Sequence, residues 1–237
     1  MTKNKNRWLM AIAAMAIHMC IGSVYAWSVY VNPIQSTMAW TLTDVTITFS
    51  IAIFFLGLSA ALMGKFVERR GPRVAATVAA VLFGLGTVGS GLAIALESKT
   101  LLYLTYGVLG GTGLGIGYIS PVSMLVKWFP DRRGLATGLA IMGFGFASAI
   151  SGPAIKVLID AVGISSTFYI LGCIYFVVMF AAAQYLANPP EGFMPEHFKN
   201  AVASGKKKIK EDLANITRNE AVKTARFYGL WIMLFIN

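Results

Sequence analysis

No Asp, Glu, Lys or Arg occurs in residues 8–43, 45–64, 74–96, 100–126, 134–155 or 161–190. A bilayer core is crossed by about 20 residues of helix at about 1.5 Å per residue, so each of these gaps can span it. Lipid offers no partner to an open backbone, which makes the helix the expected element in every gap. The pattern predicts helices near 8–31, 43–64, 73–96, 100–126, 134–159 and 164–187. A last apolar run, 227–237, is too short to cross, so the chain is expected to end inside a seventh helix. With 57% hydrophobic and 13% charged residues, 237 residues carry more apolar surface than a soluble domain can hide. The expected fold class is an all-α membrane protein.

Lys3, Lys5 and Arg7 ahead of an apolar stretch also suit a signal peptide. The uncharged sequence runs on through Tyr25, Trp27 and Tyr30 to Pro33, well past the roughly 7–15 residues of a signal core. A net charge of +10 raises nucleic acid as a partner, but the distribution argues against it. With six spans, 18 of the 20 Lys and Arg fall on one side, and only Lys99 and Lys156 on the other. The positive-inside rule makes the rich side cytoplasmic. A multi-pass protein of the cell (inner) membrane is expected, its N-terminus in the cytoplasm and membrane lipids around it.

Pro189-Pro190 ends the sixth helix and divides the chain into a bundle, 1–187, a basic connector, 188–224, and the start of a further helix, 225–237. Lys206, Lys207, Lys208 and Lys210 in the connector suit anionic lipid at about 1 kcal/mol each near the surface, or simply mark the cytoplasmic side. Thr217 and Glu220 stand at capping-box spacing. Cys20 and Cys173 lie inside helices and imply packing rather than a disulfide framework.

Two turns echo each other, Glu68-Arg69-Arg70-Gly71 and Asp131-Arg132-Arg133-Gly134. In each, the acid can pair with Arg or face a helix N-terminus. Helix 4 carries two glycine ladders, Gly107, Gly111, Gly115 and Gly113, Gly117, which predict close helix contacts rather than a phosphate loop, because no GxGxxG or Walker pattern is completed. Pro121 and Gly152-Pro153 predict kinks. His18, Gly22, Tyr25 and Ser28 recur at helical spacing, the most polar stripe of helix 1. His18 near mid-bilayer is either a proton relay or a neutral histidine bonded to a neighbouring helix.

The run from Gly64 through Glu68, Arg69, Gly71 and Arg73 resembles the signature between helices 2 and 3 of the major facilitator superfamily, with Glu68 for Asp and Pro72 for one Arg. Closer resemblance is to the oxalate/formate antiporter family: Tyr25-Ala-Trp27-Ser-Val-Tyr30-Val-Asn32-Pro33, Gly71-Pro72-Arg73, Trp128-Phe129-Pro130-Asp131-Arg132-Arg133-Gly134, and Lys223 to Trp231. The resemblance implies twelve helices in two halves, a substrate held between them, and alternating access. This chain then corresponds to the N-terminal six-helix bundle plus the start of a seventh helix. It also implies that Tyr25 and Tyr118 match tyrosines of a substrate cage, and that Phe144 replaces a third. Ile53 and Leu56 stand where that family has glutamines. A small organic anion is the implied substrate, and the lost hydroxyl and amides favour a less polar monocarboxylate over oxalate. The candidate substrate-binding residues are therefore His18, Tyr25, Ser28, Tyr118 and Phe144. The loop motif comprises Gly64, Glu68, Arg69, Gly71, Arg73, Asp131, Arg132 and Arg133.

An efflux antiporter for amphipathic compounds is the competing transporter reading, and a non-transporting membrane sensor is another. An enzyme, a cofactor and a metal are not expected, since His18 and His197 lie far apart and no ligand cluster or triad is visible. A buried anion needs a counter-charge, yet no span places Lys or Arg deep in the membrane. Reading the frame beyond Asn237 should reveal about six more spans with at least one buried Lys or Arg; an uncharged continuation would remove the carboxylate assignment.

Overall fold

The computed structural model describes residues 5–190, 192–195, 199, 204 and 218–236. They belong to two units, Met1–Phe193 and Met194–Asn237. The expectations made for His197, for Lys206, Lys207, Lys208 and Lys210, and for Thr217 lie outside the described residues.

The first unit is a six-helix bundle, and no strand occurs among the described residues. Helix α1 runs as Arg7–Gly22, tightens into a 3-10 turn at Ser23–Ala26, and continues as Ser28–Met38. The helical segment Leu42–Ala95 breaks only at Gly71, giving α2 (42–70) and α3 (72–95). Helix α4 comprises Lys99–Leu102, a π-helical stretch Tyr103–Gly110, and Gly111–Trp128. Arg133–Tyr185 breaks only at Gly163, giving α5 (133–162) and α6 (164–185). In the second unit, α7 is Arg218–Ala221 and α8 is Ala225–Ile236. The bundle has the all-α form expected, with two corrections to the boundaries. Helix α1 passes through Pro33 to Met38, and α2 continues through Lys65, Glu68, Arg69 and Arg70. Charge ends a hydrophobic span, but it does not end a helix.

Backbone chemistry ends them instead. Gly71 has φ 80°, the left-handed region that glycine enters without a Cβ clash, and Pro72 follows at the first position of α3, where its missing N–H costs nothing. Between α1 and α2, Ala39 closes α1 in the left-handed region. Thr41 and Asp44 then form a capping box for α2.

Side-chain bonds fix which helix ends lie together. Arg7 Nη1 donates to Asp131 at 2.7 Å, Lys5 Nζ to the Tyr185 carbonyl at 2.7 Å, and Trp128 Nε1 to the Ala187 carbonyl at 2.7 Å. The start of α1, the α4–α5 turn and the end of α6 therefore share one end of the bundle. At the other end Lys99 pairs with Asp44 at 2.6 Å, and the Tyr103 hydroxyl donates to the Asp44 carbonyl at 3.0 Å. This alternation is what six antiparallel crossings require.

Glycine sets the helix spacing. A Cβ on Gly107 would stand 2.6 Å from Ile51, one on Gly111 2.6 Å from the Ala52 carbonyl oxygen, and one on Gly115 would strike Ser59 and the Leu56 carbonyl, all on α2. The second ladder faces elsewhere: Gly113 would meet the Phe83 nitrogen at 2.6 Å and Gly117 the Ala79 Cβ at 3.4 Å, both on α3. In lipid, dispersion between closely approaching backbones supplies the attraction that the hydrophobic effect supplies in water. Gly115→Leu should lower stability in detergent by about 1–3 kcal/mol or more through overpacking, whereas Gly57→Ala, with nothing within 4 Å of its Cβ, should be neutral or slightly stabilising; thermal unfolding of both variants measures the contrast.

Candidate functional site: an aromatic cluster across three helices

Gly22 is the residue that brings α1 against α5. A Cβ there would strike the Phe144 carbonyl and lie 2.6 Å from the Ala147 Cβ, so only a bare backbone permits this crossing. The crossing delivers Phe144 into the middle of three helices. Its ring centroid lies 5.1 Å from Tyr25, 5.2 Å from Tyr118 and 6.2 Å from His18. The Tyr25 and His18 contacts are edge-on, and aromatic pairs at such distances contribute about 0.5–1.5 kcal/mol each.

Of the five residues singled out in the sequence, four meet around this ring. Ser28, the fifth, is exposed. The helix 1 stripe is also split. His18 and Gly22 are buried, while Tyr25 is 48% exposed and Ser28 is open. The physical reason is the 3-10 turn at Ser23–Ala26, which changes the winding between the two pairs. Trp27 anchors this turn, its Nε1 donating to the Val45 carbonyl at 3.2 Å.

The His18 Nε2 is 3.2 Å from the Tyr118 carbonyl. A carbonyl only accepts, so Nε2 carries the hydrogen. Pro121, three residues further along α4, has no N–H, which leaves the Gly117 carbonyl, next to Tyr118, without its helical donor. No described residue hydrogen-bonds the hydroxyl of Tyr25 or Tyr118, so the phenols present donors beside apolar ring faces. That combination suits a small anion with an apolar portion. Among the described residues no group of three or more His, Cys, Asp or Glu side chains forms a metal site.

A separate cavity of about 750 Å³ opens at the Asp44–Lys99 end of the bundle, with Asn32, Thr37, Glu97, Asp160 and Ser165 in its wall. None of the cluster residues lines it. Its Ser36, Thr37 and Ser165 hydroxyls already donate to the Pro33 and Gly91 carbonyls.

At the opposite end the two echoing turns behave differently. Asp131, its side chain 1% exposed, pairs with Arg7 and has Arg132 Nε at 3.9 Å. The Arg7 guanidinium also lies 4.9 Å from the Phe129 ring, and Trp8 meets Phe129 edge-on at 5.2 Å. Burial, and then the like charge of Arg73, lower the Lys5 ammonium from its ordinary value, which places the N-terminal segment within electrostatic reach of the α2–α3 turn. Glu68, Arg69 and Arg73 are exposed, and Glu68 has no ion pair among the described residues. A Cβ on Gly64 would meet nothing within 4 Å, whereas Gly71 supplies the positive φ. Sequence reasoning missed Arg7 and the Asp44–Lys99 pair. The Thr41 and Asp44 spacing was a visible signal for the second, but nothing local announces the first.

The chain matches the Major Facilitator Superfamily over residues 8–237. It belongs to that superfamily. It is 26% identical over 231 residues to the oxalate:formate antiporter of Oxalobacter formigenes, covering 97% of this chain and 52% of that protein. An uncharacterized MFS-type transporter, YhjX, of Escherichia coli (strain K12) is 30% identical over 187 residues, 79% of this chain and 46% of that protein. Monocarboxylate transporter 14 of Mus musculus is 27% identical over 218 residues, 84% of this chain and 40% of that protein. The chain thus spans about half the length or less of these curated relatives, and as a superfamily member with spanning-length apolar helices it is an integral membrane protein.

The Arg7–Asp131 contact should behave as a coupled pair. In a double-mutant cycle of Arg7→Gln and Asp131→Asn, chemical unfolding in detergent should give a coupling of about 1–3 kcal/mol; additive single-variant effects would show that the contact contributes nothing beyond its parts.

Proposed function

We propose that this chain forms part of a secondary active transporter for small organic anions, mono- or dicarboxylates of the oxalate and formate kind, working by alternating access. The observation that carries the reading is the convergence of Tyr25, Tyr118 and Phe144 from α1, α4 and α5 on one ring-lined site. Phenol hydroxyls donate to a carboxylate, and the rings exclude water and wall its apolar part. The oxalate:formate antiporter and monocarboxylate transporter 14 among the relatives support this substrate class.

The pieces take definite roles in this reading. Tyr25, half exposed, is the donor at the open face, and Tyr118 is the donor held from behind by His18. Phe144 spaces the two and offers no hydroxyl, which favours a monocarboxylate over a substrate with a second charge. The buried counter-charge comes from a further six-helix half. The N-terminus and the Arg-rich turns face the cytoplasm of a cell (inner) membrane, where the Asp131–Arg7 contact and the Gly71 turn hold the inner end of the bundle together. The reading is built on chemistry of binding and movement, not of bond making, and it takes no cofactor.

Reconstituting the full-length protein in liposomes tests it. Labelled formate, oxalate, lactate and pyruvate are offered beside a panel of amphipathic cations. Saturable uptake of at least one carboxylate is expected, with Tyr118→Phe weakening apparent affinity about tenfold to a hundredfold, since a hydrogen bond to a charged group contributes about 1.5–3 kcal/mol. Phe144→Tyr should shift preference toward oxalate. Movement of the amphipathic compounds alone would replace this reading with efflux, and binding without movement would replace it with sensing.

A further inference from the structure

Four Ser and Thr hydroxyls lie along α1. Three are spent on the helix itself: Ser23 donates to the Cys20 carbonyl, and Ser36 and Thr37 donate to the Pro33 carbonyl. The Ser28 hydroxyl donates to no described residue, and the Asn32 amide has no partner among them either. Both side chains are exposed, and both stand inside the charge-free stretch 8–43. Met38 ends α1 six residues beyond Asn32, so the amide sits about 9 Å short of the helix end. An amide has two N–H donors and a carbonyl acceptor, and against lipid all of them would go unmet at a cost in free energy. This face of α1 is therefore built to meet water or a polar ligand.

The same face links two features of the bundle. Asn32 follows Tyr25 by seven residues, about two turns of helix, and Ser28 lies between them, so the three share one side of α1. Tyr25 is half exposed at the ring cluster. At the far end of the stripe, Asn32 and Ser36 join the wall of the cavity of about 750 Å³ that opens at the Lys99 end. Polar groups thus lead, turn by turn, from an open cavity to the Tyr25 phenol, and none of them is charged. The Lys99 ammonium is already held by Asp44 at 2.6 Å. Glu97 and Asp160, in the cavity wall, repel an anion that strays outward past Asn32. Uncharged donors hold an anion weakly, which suits a place that has to pass it on.

We propose that Asn32, with Ser28 one turn deeper, forms a loading site where the small organic anion is first held on its way in from the Lys99 end. The inference rests on the transporter reading above, in which that end is the outer one, and it adds a residue outside the ring cluster. The Asn32 amide N–H and the Ser28 hydroxyl donate to the carboxylate oxygens, and the anion then moves about 10 Å inward to the phenols of Tyr25 and Tyr118. An anion loading from the Arg7 end reaches the phenols without passing Asn32. Only one direction of loading uses the amide.

Sidedness tests this. Counterflow of labelled formate is measured with the full-length protein in right-side-out and everted membrane vesicles, with unlabelled formate saturating the far side. The half-saturating concentration is read at each face. Asn32→Ala should raise the ratio of outer to inner half-saturation about tenfold, the low end for losing a hydrogen bond to a charged group. Asn32→Gln keeps the amide and should recover most of that loss. A ratio that does not rise, even where both faces weaken together, would overturn the loading site and leave the transporter reading intact. If the wild type moves no carboxylate, the transporter reading itself fails and takes the inference with it. A second measurement needs no transport. Asn32→Cys in a Cys173→Ser background should react with a membrane-impermeant anionic thiol reagent added at the outer face, and formate should slow the reaction. A thiol that the reagent does not reach, or that formate does not protect, would overturn the proposal. If Asn32→Ala does not fold, the thiol measurement decides alone.

Discussion

Everything in the bundle depends on how closely helices approach where no water drives them together. Lipid chains are as apolar as leucine, so a span gains from meeting another span only what dispersion and a few polar contacts supply. Helix α4 satisfies that condition on two faces at once, presenting Gly107, Gly111 and Gly115 to α2, and Gly113 and Gly117 to α3. The same device appears at Gly22, where α1 meets α5. The candidate site follows from these contacts. A larger residue at Gly22 would strike the Phe144 backbone and push α5 away from α1, and the ring cluster would open.

The sequence made the spans legible because charge is almost forbidden at membrane depth, and its absence is easy to see. It made the glycine ladders legible because a four-residue repeat of the smallest side chain has few other uses inside a span. Helix ends were read less well. Lys65, Glu68, Arg69 and Arg70 looked like loop, yet they extend α2 until Gly71 turns the chain. The stripe on helix 1 was half right for a local reason: a 3-10 turn at Ser23–Ala26 breaks the periodicity on which the stripe was counted.

The cluster itself was visible only through resemblance, since nothing in the spacing of Tyr25, Tyr118 and Phe144 predicts that they meet. The Arg7–Asp131 pair joins residues 124 positions apart, and no periodic pattern marks such a partner. Arg7 counts in the sequence among the charges of one side, and the structure gives it a partner as well. Its guanidinium lies over Phe129 and pairs with a carboxylate that is shielded from water. Charge on a membrane protein's edge has two uses, and composition reports only the sum.

The single-residue joints at Gly71 and Gly163 have a mechanical consequence. With one residue between them, α2 and α3 have no slack, and neither have α5 and α6. A tilt of one helix is passed to its neighbour as torque rather than absorbed in a loop. Each pair is therefore a stiff lever with its fulcrum at a membrane surface, the first at the Arg7 end and the second at the Lys99 end. Force applied at one surface reaches the other through rods, and Phe144 of the aromatic cluster is carried on one of them.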